Sequence, residues 1–183
     1  TNCASLEYLA SNWVDPLIWI TLLSETSFEN CLFDHLSMAD DDSHCIQIGG
    51  VENPSQPIYM NTYNSQFSSI TGENGAIFYG ATNNPHITFI NTTFAGCSGN
   101  DYALQTHGVV NIINSIFLND TPYEIYITPM DNGEHTNLTM DYSNFQHGQT
   151  GIYNPSTGNQ IHYQSNNITD DPQFAGGDES DPL

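Results

Sequence analysis

The stretch that most constrains this chain is Val110-Asn111-Ile112-Ile113-Asn114-Ser115-Ile116-Phe117, a short apolar strand running into an Asn-Ser-x-Phe figure. The figure recurs upstream as Asn30-Cys31-Leu32-Phe33, Asn64-Ser65-Gln66-Phe67 and Asn91-Thr92-Thr93-Phe94. Downstream it returns with its first residue changed, as Tyr142-Ser143-Asn144-Phe145. The phenylalanines are spaced by 34, 27, 23 and 28 residues. Self-similarity at such a period marks a solenoid, in which each repeat buries its apolar face only by stacking on its neighbours.

The residues around this figure fall into columns. Four before the Asn position stand Thr26, Met60, Ile87, Val110 and Leu138, and two before it Phe28, Thr62, Phe89, Ile112 and Met140. Side chains two apart on a strand share a face, so both sets point the same way. The position after the Asn is always small: Cys31, Ser65, Thr92, Ser115 and Ser143. A straight strand would throw the phenylalanines to the opposite face. An Asn in the left-handed region, which it tolerates better than most residues, turns the chain there and keeps Phe33, Phe67, Phe94, Phe117 and Phe145 inward. A further strand follows each phenylalanine, and Ile46, Ile77, Ala103, Ile125 and Ile152 are expected to form its inward column.

Short strands joined by bends, with an asparagine at one bend of each coil, resemble the right-handed parallel β-helix of the pectin-lyase-like superfamily. The resemblance covers residues 26–174. It implies an all-β solenoid of about six coils, with Asn30, Asn64, Asn91 and Asn114 stacked as a ladder. The segment Asn167-Ile168-Thr169-Asp170-Asp171-Pro172-Gln173-Phe174 is similar to the closing segment of secreted bacterial β-helix repeat proteins, and residues 175–183 form an acidic tail. The superfamily holds lyases, hydrolases, adhesins and inert surface proteins, so the architecture does not name an activity. Its pectate-lyase-type members use Arg or Lys as base, and its galacturonan hydrolases carry an Arg/Lys-containing substrate motif. No residue of this chain matches either.

Residues 1–25 stand outside the repeat. Leu6, Leu9 and Ala10 lie at helical spacing, which predicts a short helix over the open end, and Leu17 to Leu23 reads as the strand that starts the first coil. A solenoid end exposes backbone groups and core side chains that something must cover. The segment is therefore a cap or a docking element. Trp13, Ile18, Trp19 and Ile20 are its expected assembly residues, folding back on their own coil or docking on the last coils of another copy.

Charge narrows the partners. The chain carries no Lys and no Arg against 21 Asp plus Glu. Repulsion must be relieved by salt, divalent cations, low pH or the spreading of carboxylates along a long solenoid. Nucleic acid and anionic membranes are poor partners for such a surface. No apolar run reaches the roughly 18 residues of a membrane span. The balance points to an extracellular or cell-surface location. Asp40, Asp41 and Asp42, and the group Asp131, Asn132 and Glu134, are the Ca²⁺ candidates; the competing reading is a solvated acidic loop.

Cys3, Cys31, Cys45 and Cys97 lack CxxC spacing, which argues against zinc, and their even number permits disulfides or buried thiols. His107-Gly108 and His147-Gly148 place a histidine beside a bend, as a polar loop residue or a general acid/base. Sequons begin at Asn91, Asn119, Asn137 and Asn167. Asn91 belongs to the ladder, which leaves Asn119, Asn137 and Asn167 as glycan acceptors. The expected function is a non-catalytic structural or adhesive β-helix that assembles head to tail with itself into a surface filament. Its exposed Tyr, Asn, Thr and Ser suit contacts with glycans. The alternative is a carbohydrate-active enzyme, a neutral-polysaccharide hydrolase with two carboxylates about 5–10 Å apart in a groove.

Overall fold

The computed structural model describes residues 6–7, 18–20, 25–37, 45–48, 58–72, 78–80, 85–99, 101–119, 121–129 and 135–172. Over these residues the chain is an all-β parallel solenoid, and the only helical element among them is a 3-10 turn at Gly148–Gly151. No helix among the described residues is long and apolar enough to cross a membrane.

The chain opens with β1 (Leu6–Glu7), β2 (Ile18–Ile20), β3 (Glu25–Glu29), β4 (Leu32–Asp34) and β5 (Ile46–Ile48). The next layers add β6 (Tyr59–Tyr63), β7 (Gln66–Ser68) and β8 (Phe78–Gly80), then β9 (His86–Ile90), β10 (Thr93–Ala95) and β11 (Tyr102–Thr106). They are followed by β12 (Val109–Ile113), β13 (Ile116–Leu118) and β14 (Tyr123–Ile127), and by β15 (Asn137–Asp141), β16 (Asn144–Phe145), β17 (Ile152–Tyr153) and β18 (Gln160–Tyr163). Every third strand is a hydrogen-bonded neighbour. Strands β3-β6-β9-β12-β15-β18 make one six-stranded sheet and β1-β4-β7-β10-β13-β16 a second. The third side holds β2-β5-β8 and β11-β14-β17.

The core follows the columns. Met60, Ile87, Val110 and Leu138 pair in register and are buried, as are Thr62, Phe89, Ile112 and Met140. Phe33, Phe67, Phe94, Phe117 and Phe145 pair strand to strand, with ring centroids 4.6, 5.0, 4.4 and 4.8 Å apart. Phe28 and Phe89 meet this stack edge-on at Phe33 and Phe94. Burying one such ring is worth about 1.5–3 kcal/mol, and a favourable ring pair adds roughly 0.5–1.5 kcal/mol.

The bend itself is left-handed at Asn30, Asn64, Asn91 and Asn114, with φ of 54°, 48°, 51° and 48°, and Tyr142 adopts the same conformation at φ 51°. The small residue that follows has a second duty. The N–H groups of Cys31, Thr92 and Ser115 donate to the hydroxyls of Ser65, Ser115 and Ser143 in the next layer. Those hydroxyls donate in turn to the carbonyls of Tyr63, Ile113 and Asp141. At the last layer Ser143 N donates instead to Asn167 Oδ1, at 2.8 Å. On either side of the bend, ordinary ladder bonds resume, as from Asn91 N to Ile113 O and from Ile116 N to Thr92 O.

Two expectations are corrected. Leu6–Glu7 is a strand and not a helix: Leu6 pairs with Phe33 and Glu7 with Asp34, because an open sheet edge satisfies backbone groups that a short exposed helix would leave to water. Leu9 and Ala10 lie outside the described residues. On the third side Ile125 pairs with Leu104 and Ile152, so Leu104 rather than Ala103 occupies the column, and Ile46 pairs with Ile18 and Phe78. Ala103 is buried, one residue out of phase with Leu104. Ile77 lies outside the described residues. The connections between the phenylalanine and this strand differ in length from layer to layer, so offsets from the phenylalanine do not carry the register.

These bends generate two predictions. Ser115→Ala strips the acceptor from the buried N–H of Thr92 and should destabilise the chain by about 1–3 kcal/mol in chemical denaturation, whereas Ser115→Thr should cost far less. Tyr142→Asn relieves a bulky residue from the left-handed region and should stabilise by about 1 kcal/mol in the same assay. A neutral or destabilising Tyr142→Asn would mean that the ring holds the last layer in place.

Candidate functional site: corners, outward rows and ends

The asparagine ladder runs along the outer side of its corner. Asn91 Nδ2 donates to Asn64 Oδ1 at 2.8 Å, and Asn114 Nδ2 to Asn91 Oδ1 at 2.6 Å, all three side chains being exposed. A second left-handed corner, at His35, Ser69 and Gly96, has φ of 50°, 52° and 60° and was not legible in the sequence. Only Gly96 signals it, since neither His nor Ser announces a positive φ. It turns the chain so that Leu36, Ile70 and Cys97 stack buried behind the phenylalanines. A third bend follows His107, where Gly108 has φ of 85° and a Cβ would lie 2.3 Å from the Pro85 carbonyl oxygen. The His-Gly pair is thus explained by close backbone approach.

The flat outward face of the first sheet carries Ser27, Asn61, Thr88, Asn111, Thr139 and His162 in one register. This is a row of neutral hydrogen-bonding groups at the strand spacing of about 4.8 Å. The third side carries tyrosines. Tyr102 and Tyr126 stack at 4.7 Å, Tyr126 and Tyr153 at 5.5 Å, and Tyr123 tilts against Tyr153 at 4.9 Å. Burial foremost, then Tyr126 and Asp101, pushes the Tyr102 hydroxyl up to about 12. The ring faces are spent on one another, so the column presents edges and neutral hydroxyls.

Two carboxylates sit in polar constellations. Asp34 accepts from Ser68 Oγ at 2.5 Å and meets His35 Nδ1 at 2.6 Å. The Ser68 hydroxyl thus donates to a carboxylate, and among the described residues it has no bond to an imidazole. Glu124 is fully buried. Its carboxylate accepts from the backbone N–H and Nδ2 of Asn119, and His147 Nδ1 lies 3.6 Å from Oε1. Sequence reading missed this network, since Glu124 was seen only as a strand residue and His147 only as a bend. Among the described residues no group of three His, Cys, Asp or Glu side chains could hold a metal ion.

The sequence-predicted residues divide as follows. Asp40, Asp41, Asp42, Asp131, Asn132, Glu134 and Trp13 lie outside the described residues. Trp19 contributes backbone to β2, Ile18 packs partly buried on the core, and Ile20 is only 4% exposed. Ile20 pairs with Ile48 and is buried in its own first layer, which is the folding-back arrangement and not the docking one for this residue. Asn119 is corrected: it is 1% exposed, its Oδ1 accepts from Cys97 N, and its Nδ2 is bound to Glu124, so no glycan fits there. Asn167 Nδ2 donates to the carbonyls of Met140 and Gln164, while Asn137 is exposed. No protein-family model, curated protein or solved structure matches the chain.

Cys31 is disulfide-bonded, whereas Cys45 and Cys97 are buried free thiols. Burial raises both, Cys97 to about 12, with Cys45 held higher still by burial and then by Cys97. A thiolate is the reactive form. Both should therefore resist a water-soluble thiol reagent at pH 8 and become labelled only in denaturant, as peptide mass spectrometry would show. Labelling of Cys97 in the native state would reveal local opening of its corner.

Proposed function

We propose that this chain is a non-catalytic extracellular structural or adhesive solenoid, of the right-handed pectin-lyase-like type, that stacks head to tail with further copies of itself. The observation that carries this reading is the one-sided pairing of the outermost described strands of the first sheet. Among the described residues β18 pairs with β15 on one side only, as β3 does with β6. Ile161 and Tyr163 on β18 are only partly buried, and Ile168, bridged to Asn144, is 51% exposed. An outer strand of this kind suits the addition of a strand from another copy, and a head-to-tail contact so formed does not close on itself. β1 and β2 belong to the chain's own ladder, so the matching surface is the outer edge of the first layer. The neutral row Asn61, Thr88, Asn111 and Thr139 fits weak contacts with glycans along the side.

Sedimentation velocity over a concentration series tests the assembly. The wild type should form a growing series of species, favoured by salt because each copy carries a formal charge of −21. Ile168→Asp should raise the dissociation constant about tenfold, the equivalent of one lost apolar contact of about 1.4 kcal/mol. A wild type that stays monomeric at high concentration and high salt would sink the reading.

A further inference from the structure

The sequon asparagines of this chain occupy four different environments, and only one of them leaves the amide open. Asn91 Nδ2 is held by Asn64 Oδ1, Asn119 Nδ2 is buried on Glu124, and Asn167 Nδ2 is shared between two backbone carbonyls. Asn137 is different. Its backbone is fixed, with its N–H donating to Gly108 O and its position paired between Val109 and Gln160. Its side chain is exposed and makes no hydrogen bond to a described residue. The sequon is completed by Leu138, which is buried and anchors the strand, and Thr139, which lies in the outward row. We propose that Asn137 is the N-linked glycan acceptor of this chain.

In the transfer, Asn137 Nδ2 attacks the anomeric carbon of a lipid-linked oligosaccharide pyrophosphate. The N–C bond forms, the bond from that carbon to the phosphate oxygen breaks, and the amide proton passes to a base of the transferase. The product stands out from the first sheet, perpendicular to the stacking direction. It would shield the outward row near Val109 and Gln160 while leaving the outer edge of β18 clear. The inference is independent of the assembly reading, since it rests on amide accessibility and not on any second copy.

The test is expression of the full chain through a eukaryotic secretory pathway, followed by peptide mapping after enzymatic deglycosylation in heavy-oxygen water. Conversion of Asn to labelled Asp at position 137, with Asn91, Asn119 and Asn167 unconverted in the folded secreted protein, is the expected result. Asn137→Gln should then remove the whole glycan mass shift while leaving the denaturation midpoint of the deglycosylated wild type unchanged. Folded, secreted protein with Asn137 unmodified would overturn the proposal. So would folded protein glycosylated at Asn119 or Asn167, because the Asn119 amide is buried on Glu124 and the Asn167 amide donates to two backbone carbonyls.

Discussion

The structure depends on what happens to the backbone one residue past the asparagine. A parallel stack satisfies its N–H and C=O groups by passing them to the next layer, and a left-handed residue interrupts that handover. The N–H just after the bend points at a gap, and a buried N–H without a partner costs on the order of 1–3 kcal/mol. Serine hydroxyls close the gap, accepting from the layer before and donating to a carbonyl two residues back in their own layer, as the Thr92 hydroxyl also does toward Ile90. The bend thereby becomes part of the ladder instead of a break in it. The same hydroxyl is small enough to sit beneath the phenylalanine stack, which is why the residue between Asn and the aromatic column cannot be large.

That logic explains which parts of the fold were legible. The bend needs a residue that tolerates positive φ, a small polar residue and a phenylalanine at fixed spacing, so all three are written into the sequence layer after layer, with Tyr142 departing at the first position and Cys31 replacing the hydroxyl at the second. The two six-stranded sheets flank that bend directly and inherit its register. The third side does not. It is joined through connections of unequal length, so Leu104 and Ala103 were equally good candidates by pattern and only the pairing with Ile125 separates them. The second corner was hidden for another reason. His35, Ser69 and Gly96 share a backbone conformation but no side-chain chemistry, and what they position, Leu36, Ile70 and Cys97, is a generic apolar column.

The cysteine in that column shows how one position can look functional and be structural. Cys97 lies where Leu36 and Ile70 lie in earlier layers, and its N–H donates to Asn119 Oδ1 at 2.7 Å. Asn119 then hands Glu124 its backbone and side-chain N–H groups. A chain from the Cys97 backbone N–H through the Asn119 amide to the buried Glu124 carboxylate ties the second corner to β14. Asn119 was legible as a sequon and Glu124 as a strand residue, but their contact was not, because the two face each other across a bend whose path no local pattern fixes.

The same network bears on how a chain with no Lys and no Arg stays folded. Among the described residues, internal polar duties fall to hydroxyls, amides, thiols and the buried Glu124 carboxylate, and the carboxylates that have an imidazole neighbour are Asp34 and Glu124, beside His35 and His147. On the first sheet Glu25, Glu29 and Asp141 stand beside Tyr59, Tyr63 and Ile113, so no carboxylate there faces another across a strand pair. Like charges directly opposite would each be unfavourable, and the in-register stack would repeat the penalty at every layer. On the second sheet Glu7 pairs with Asp34 in the backbone ladder, and the Asp34 carboxylate is itself bonded to Ser68 and His35. A ladder built from neutral groups does not need the surface charges, so the fold leaves their placement free. Repulsion of that kind acts over about 8 Å at physiological ionic strength, further than one layer but shorter than the stack. It therefore opposes the lateral approach of another like-charged surface along the described side of the solenoid.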